Sequence, residues 1–188
     1  MFIDGEWCEA LGGRRFKVSN PATGEVIADV ADGGRDDALR AIDAAHAAFA
    51  GWAGMTAYER SRILYKAWEL MTARAADIAR IMTTEQGKPL RAALNEVRYG
   101  ADFLLWYAEE AKRVYGEIIP APRGDQRFMV LHQPVGVVAA ITPWNYPASM
   151  ITRKVAPALA AGCTIVLKPA EATPLCAIEI FRILEEAG

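Results

Sequence analysis

The sequence has little that would tie it to a charged polymer, a metal or a lipid bilayer. Its 188 residues carry 21 Lys and Arg against 23 Asp and Glu, a net charge of -2. That balance leaves no electrostatic footprint for nucleic acid and no basic run for an anionic membrane surface. There are two histidines and three cysteines. Cys8, Cys163 and Cys176 lack metal-ligand spacing, and a reducing compartment would keep them as thiols. His46 has no acidic or thiol partner at ligand spacing, so it reads as a surface or partly packed side chain, and His132 is given no catalytic role. No apolar run approaches the ~20 residues of a membrane span, and MFIDGEW has neither the basic region nor the apolar stretch of a secretory signal. The expected location is cytoplasmic. Repeats and low-complexity segments are also missing.

What is present is the composition of an ordinary soluble protein, 53% hydrophobic and 23% charged, enough for one sizeable core or parts of two. Residues 2–30 read as a β-hairpin region, with turns at Asp4-Gly5 and Asn20–Gly24. Its edge strands invite a partner such as another subunit. From Arg35 to Trp52, Leu39, Ile42, Ala45, Phe49 and Trp52 recur at helical steps and predict a buried face. Thr56 and Glu59 form a capping box for a helix whose stripe is Ile63, Leu64, Ala67, Leu70 and Met71. A helix over 75–85 stops at Gly87-Lys88-Pro89, which gives EQGKPL a structural explanation as C-cap and stop. The next helix is expected from Leu90 to about Tyr115, with Phe103, Leu104, Trp106 and Tyr107 packing it against its neighbours. Residues 120–124 read as a linker and Arg127–Gln133 as a strand.

Pro134–Pro174 is the organising stretch. Val135–Ile141 and Cys163–Leu167 are short uncharged runs that predict parallel strands buried on both faces. Between them a helix is expected over 148–161, with Pro157 inside it and Gly162 as its stop. The two strands and the helix make a βαβ unit with a right-handed crossover, and Thr173-Pro174 is expected to cap a last helix running through Ala187. Ligands of open α/β sheets lie outside the carboxyl ends of the strands. Lys168 and Glu171 follow the second strand, where dinucleotide folds hold the adenosine ribose. The first turn has no G-x-G-x-x-G, so any dinucleotide must be held in another way.

Asn145, on the turn after the first strand, admits two readings. Its amide can donate to a developing oxyanion, or it can cap the following helix, for which asparagine is also favoured. Lys168 and Glu171 could equally be a solvated ion pair. Arg153 follows Asn145 by eight residues, about two helical turns. Its planar fork suits a carboxylate, with an interhelix salt bridge as the alternative. Lys154 is expected to point elsewhere.

The strings ITPWNYP, ALAAGCTIVLKPAE and EQGKPL together resemble the NAD(P)-dependent aldehyde dehydrogenase superfamily, over essentially the whole chain from FIDGEW to Gly188. EQGKPL with MITRKV is most similar to the succinate-semialdehyde dehydrogenases, with the glutarate-semialdehyde enzymes close behind. The resemblance implies an α/β fold: the N-terminal part of the aldehyde dehydrogenase architecture, with a Rossmann-like parallel βαβ unit after an N-terminal β-hairpin and helices. Residues 1–123 would be the hairpin and helical part of the cofactor domain. Residues 124–134 would start an oligomerisation β-arm, and 135–188 the first βαβ unit of the NAD-binding domain, with the catalytic domain absent.

The resemblance further implies that Asn145 is the oxyanion donor, partnered by the backbone N–H of a nucleophilic cysteine. Ile141, Thr142, Trp144, Asn145, Lys168, Ala170 and Glu171 would line the cofactor cleft, and Arg153 would clamp a semialdehyde's carboxylate. A carboxylate at Glu171 repels a 2′-phosphate, which favours NAD over NADP. By the resemblance the reactive cysteine, the water-activating glutamate and the pyrophosphate turn would belong to sequence beyond Gly188; Cys163 is no substitute, since it begins an apolar strand without a base or cation beside it, and Cys8 and Cys176 fail similarly. The expectation is an enzyme fragment inactive by itself, whose full-length form is a homodimer or homotetramer. The alternative is a truncated paralogue serving as a nucleotide-binding or subunit-interaction module.

Overall fold

Local turn chemistry shapes the first thirty residues of the computed structural model, which describes residues 1–188. Asp4 and Gly5 both take positive φ, 55° and 76°, the backbone of a two-residue type I′ turn. They join β1 (Phe2–Ile3) to β2 (Glu6–Trp7). A second antiparallel hairpin pairs β3 (Arg15–Ser19) with β4 (Val26–Ala31). In its turn Asn20 Oδ1 accepts the Ala22 N–H at 2.9 Å, the side-chain mimicry of a backbone turn that suits asparagine there.

Four helices follow: α1 (Arg35–Gly54), α2 (Ala57–Ala73), α3 (Ala75–Gln86) and α4 (Leu90–Glu110). The capping box of α2 forms as expected, with Thr56 and Glu59 each accepting the other's backbone N–H. α3 ends on Gly87 at φ 82°, a left-handed stop that costs glycine nothing.

Four expectations for this region need correction. Leu39 and Ile42 of α1 stay exposed, at 43% and 45%, because α1 packs on β7 and β8 of the βαβ unit rather than against the main core. α4 stops at Glu110, short of Tyr115, and tightens into a 3-10 turn over Ala111–Arg113. Trp106 points outward, 61% exposed, while Leu104 is buried; two positions apart on a helix means nearly opposite faces. Of the expected linker over 120–124 only Pro120 is strand, the last residue of β5 (Glu117–Pro120), which pairs antiparallel with β6 (Arg127–Val130). The two β-branched residues of β5, Ile118 and Ile119, are too few to show a period in the sequence.

The βαβ unit forms where expected: β7 (Val137–Ile141), α5 (Ser149–Ala160) and β8 (Thr164–Lys168), then α6 (Pro174–Ala187). β7 and β8 are parallel in register from Val137↔Thr164 to Ile141↔Lys168. Gly162, at φ 88°, turns the chain from helix to strand. These strands were expected to be buried on both faces, yet only Ala140 and Thr164 are buried, and Ile141 is 69% exposed. With two strands, the sheet has no inner position. Ile165 and Leu167 pack on the main core, whereas the alternate Thr164 donates its hydroxyl to the Ala45 carbonyl of α1 at 2.7 Å.

The core itself is helical. Leu64, Met71, Ile78, Met82, Leu104, Ile151, Ile180 and Ile183, drawn from α2 to α6, form one cluster. α4 crosses α5 at Gly100, where an added Cβ would sit 3.3 Å from Ser149 Cα. Four charged side chains are buried, Asp37, Arg60, Glu85 and Glu96, and each serves a helix end whose backbone groups lack partners of their own. Asp37 accepts the N–H of Gly34, the N-cap of α1, at 2.9 Å and that of Leu11, in the loop after β2, at 3.0 Å. Arg60 donates to the Ala160 carbonyl at 3.2 Å and to the Met55 carbonyl, at the ends of α5 and α1. No helix is long and apolar enough to cross a membrane.

Candidate functional site

The carboxyl ends of β7 and β8 lie side by side. Ile141 pairs with Lys168, and the Thr142 N–H donates to the Lys168 carbonyl at 3.2 Å. The turn over 142–148 and the segment after Lys168 therefore leave the same edge of the sheet, the edge at which open α/β sheets bind ligands. Thr142 and Ala170 are buried at this edge, while Ile141 and Trp144 are exposed at 69% and 59%.

Asn145 is exposed, and it does not cap α5. That helix begins at Ser149, and its first N–H groups go to Glu96 of α4, whose Oε1 accepts from Ala148 at 2.9 Å and Ser149 at 3.3 Å. A buried carboxylate at a helix N-terminus satisfies orphan donors and meets the positive end of the helix dipole. The N-cap alternative for Asn145 is thereby corrected, and its amide is left without an internal duty.

The corner between α3 and α4 supports this turn, a role not drawn from EQGKPL in the sequence. Gln86 Nε2 donates to the Trp144 and Asn145 carbonyls at 2.9 and 3.1 Å. Lys88 Nζ donates to the Asn145 carbonyl at 2.9 Å, lies 4.2 Å from the Tyr146 ring centroid and pairs with Glu96. Glu85, one residue before Gln86, reaches the other way: it accepts the Leu175 and Cys176 N–H groups, both at 2.8 Å, at the start of α6. The expected cap by the Thr173 side chain is not made, because Glu85 takes those N–H groups instead. Burial pushes the Glu85 carboxyl from its ordinary 4.5 up to about 7, because an unpaired charge in the interior is poorly solvated.

Lys168 and Glu171 form an exposed ion pair at 2.8 Å. The hydrogen bond from Lys168 holds the Glu171 carboxyl below its usual range, so Glu171 is an anion at neutral pH, able to accept ribose hydroxyls. The ion-pair alternative thus describes the pair as it stands, and nothing in that pairing prevents exchange of one partner for a ligand.

Arg153 sits one turn into α5 and is exposed. Its guanidinium lies over the Phe103 ring, 5.5 Å from the centroid, with Nη1 3.9 Å from Met150 Sδ. It has no interhelix salt bridge: the chain's ion pairs lie elsewhere. Lys154, expected to point away, instead donates to the Ile141 carbonyl at 2.7 Å, beneath the strand end. Adjacent helical positions differ by about 100°, and periodicity alone does not decide which of Arg153 and Lys154 faces the sheet.

Of the three thiols only Cys8 is partly accessible. Cys163 and Cys176 are buried, and burial with Glu85 nearby pushes the Cys176 thiol far above its usual pKa, which suppresses the reactive thiolate. No group of three or more His, Cys, Asp and Glu side chains is gathered as for a metal.

Residues 7–188 match the Aldehyde dehydrogenase family. The chain is 54% identical over 187 residues to glutarate-semialdehyde dehydrogenase of Pseudomonas putida, covering 100% of this chain and 39% of that protein. It is 50% identical over 186 residues to an NADP(+) succinate-semialdehyde dehydrogenase of Escherichia coli, covering 99% of this chain and 39% of that one. A crystal structure of an aldehyde dehydrogenase from Brucella melitensis biovar abortus superposes with a TM-score of 0.98 at 55% identity, over 100% of this chain and 39% of the other. The chain thus spans 39% of the length of each of these relatives. With the matched profile reaching from the second hairpin strand to the last residue, and the fold following that of solved members, the chain belongs to the aldehyde dehydrogenase family.

Proposed function

We propose that this chain supplies the amino-terminal part of the cofactor and substrate cleft of a semialdehyde dehydrogenase, which oxidises succinate or glutarate semialdehyde to the dicarboxylate with NAD as hydride acceptor. The observation that carries the reading is the free amide of Asn145 on a turn at the strand edge from which Lys168 and Glu171 also depart. When bound, the dinucleotide supplies the hydride acceptor. Glu171 and Lys168 would hold its adenosine ribose, and Ile141, Thr142, Trp144 and Ala170 would line the cleft. Asn145 would donate to the oxygen that becomes negative when a thiolate adds to the aldehyde. Arg153, exposed and unpaired, would take the far carboxylate of the substrate in a bidentate grip. The anionic Glu171 favours NAD, since it repels a 2′-phosphate.

Residues 1–123 would then be the hairpin and helical part of the cofactor domain, 135–188 its first βαβ unit, and the hairpin around 124–134 an arm toward a second copy in a dimer or tetramer. By itself the chain, with Cys163 and Cys176 buried, would turn over no aldehyde.

The test is a chimera in which residues 1–188 replace the matching segment of a full-length semialdehyde dehydrogenase. It should form NADH from succinate semialdehyde, while the 188-residue chain should not. Asn145→Ala should lower kcat by about 10²-fold, the usual cost of one oxyanion donor. Arg153→Ala should raise KM for succinate semialdehyde far more than for an uncharged aldehyde of similar size. Equal effects on both aldehydes would remove the clamp, and an unchanged kcat in Asn145→Ala would remove the oxyanion role.

A further inference from the structure

Asn145 can act as a preorganised donor only if its backbone is held, and the turn that carries it does little to hold itself. Trp144, Asn145 and Tyr146 are all exposed. Three side chains from the α3–α4 corner do the holding. Gln86 bonds the carbonyls of Trp144 and Asn145 at 2.9 and 3.1 Å, and Lys88 bonds the Asn145 carbonyl again at 2.9 Å. Glu96 pairs with Lys88 and takes the N–H groups of Ala148 and Ser149 just beyond. The backbone on both sides of the Asn145 side chain is thus tied to one rigid corner.

Two details separate this arrangement from incidental packing. Gln86 Oε1 is buried without a hydrogen-bond partner, an unfavourable placement that the side chain retains while its Nε2 serves two carbonyls of the turn. The Lys88 and Glu96 side chains are 15% and 1% exposed, so their charges largely cancel in the interior, and what reaches the turn is fixed geometry more than a field.

We propose that Gln86 and Lys88, backed by Glu96, are positioning residues that clamp the Trp144–Asn145 backbone and so set the direction of the Asn145 amide toward the reacting oxygen. The proposal rests on the reading of Asn145 as oxyanion donor. A displacement of about 1 Å in a catalytic group can cost on the order of 10²-fold in rate, so loosening the clamp falls on kcat rather than on cofactor binding.

Lys88→Met alone would strand a buried carboxylate and endanger folding. The test therefore uses Gln86→Met and the paired Lys88→Met/Glu96→Gln, with Lys88→Arg as a conservative variant that keeps a cationic donor. In the chimera, both disruptive variants should lower kcat by about tenfold or more with KM for NAD+ little changed, and Lys88→Arg should recover most of the loss. In an Asn145→Ala background the same variants should cost less than about twofold further, because the group they position is gone. Losses that multiply fully with Asn145→Ala, or that fall on KM for NAD+, would overturn the proposal.

A second measurement needs no turnover. Amide hydrogen exchange of Ala148, Ser149 and Met150, whose N–H groups are bonded to Glu96 and to the Tyr146 carbonyl, should quicken by about tenfold in the 188-residue disruptive variants, with Leu104 and Val155 unchanged. Exchange at the turn that does not change, or that rises equally everywhere, would also overturn it. If exchange responds as expected while Asn145→Ala leaves kcat intact, the clamp stands as structure and only the oxyanion role fails.

Discussion

Glu85 is buried against two backbone N–H groups with no ion pair of its own, which makes it the residue whose protonation should be felt in stability. Its carboxyl has an ordinary value of 4.5 and is pushed up to about 7 in the fold. Between those values the unfolded chain has released the proton and the folded chain still holds it, so stability falls as pH rises. The contribution is fully present below about pH 4.5 and is lost by about pH 7, a drop of roughly 3 kcal/mol for one such group. Urea unfolding of wild type and Glu85→Gln at pH 5 and pH 7.5 should show a smaller difference between the two pH values in the variant. Equal differences would mean that burial does not hold the proton there. At this scale the sequence was legible where a residue's own backbone decides, as at Asp4-Gly5, Thr56 and Gly87. It was silent where a side chain serves a distant helix: nothing near Glu85 or Glu96 announces α6 or α5, which begin 89 and 53 residues further on.

The elements follow the same division. Long periodic segments gave their helices within a few residues, and the βαβ unit was readable from its uncharged runs and its Gly162 stop. β5 escaped because strand pairing is a non-local property that two isoleucines cannot declare, and the exposed face of α1 escaped because periodicity says which residues share a face, not what covers it. Gly100 was also unmarked, although it sets the approach of α4 to α5. An alanine there gains about 1 kcal/mol of helix propensity while placing its Cβ 3.3 Å from Ser149 Cα and 3.4 Å from Met71 Cε, so Gly100→Ala should be close to neutral. Gly100→Leu has no such room and should cost about 1–3 kcal/mol by overpacking. Thermal unfolding of the pair checks this; equal Tm values would mean that the crossing is looser than these distances.

For the whole molecule, the uncovered apolar surface is the main physical fact. Ile118, Met129 and Leu131 on the β5–β6 hairpin are 71%, 70% and 67% exposed, next to a two-stranded ladder with open edges, a combination that favours association. Sedimentation velocity should show the 188-residue chain associating as its concentration rises, and Met129→Lys should move it toward monomer. A chain that stays monomeric throughout would argue against the arm as a subunit contact.

The placement of the buried charges has a practical corollary for anyone who wishes to divide this protein into two pieces that find each other again. A break at Gly87 would sever Glu85 and Gln86 from Lys88 and Glu96, and with them the supports of both α5 and α6. A break between Arg123 and Gly124 interrupts only local bonds, such as Arg123 with Asp125. There the β5–β6 ladder and the α4–α5 crossing remain as the surfaces by which the halves could reassemble.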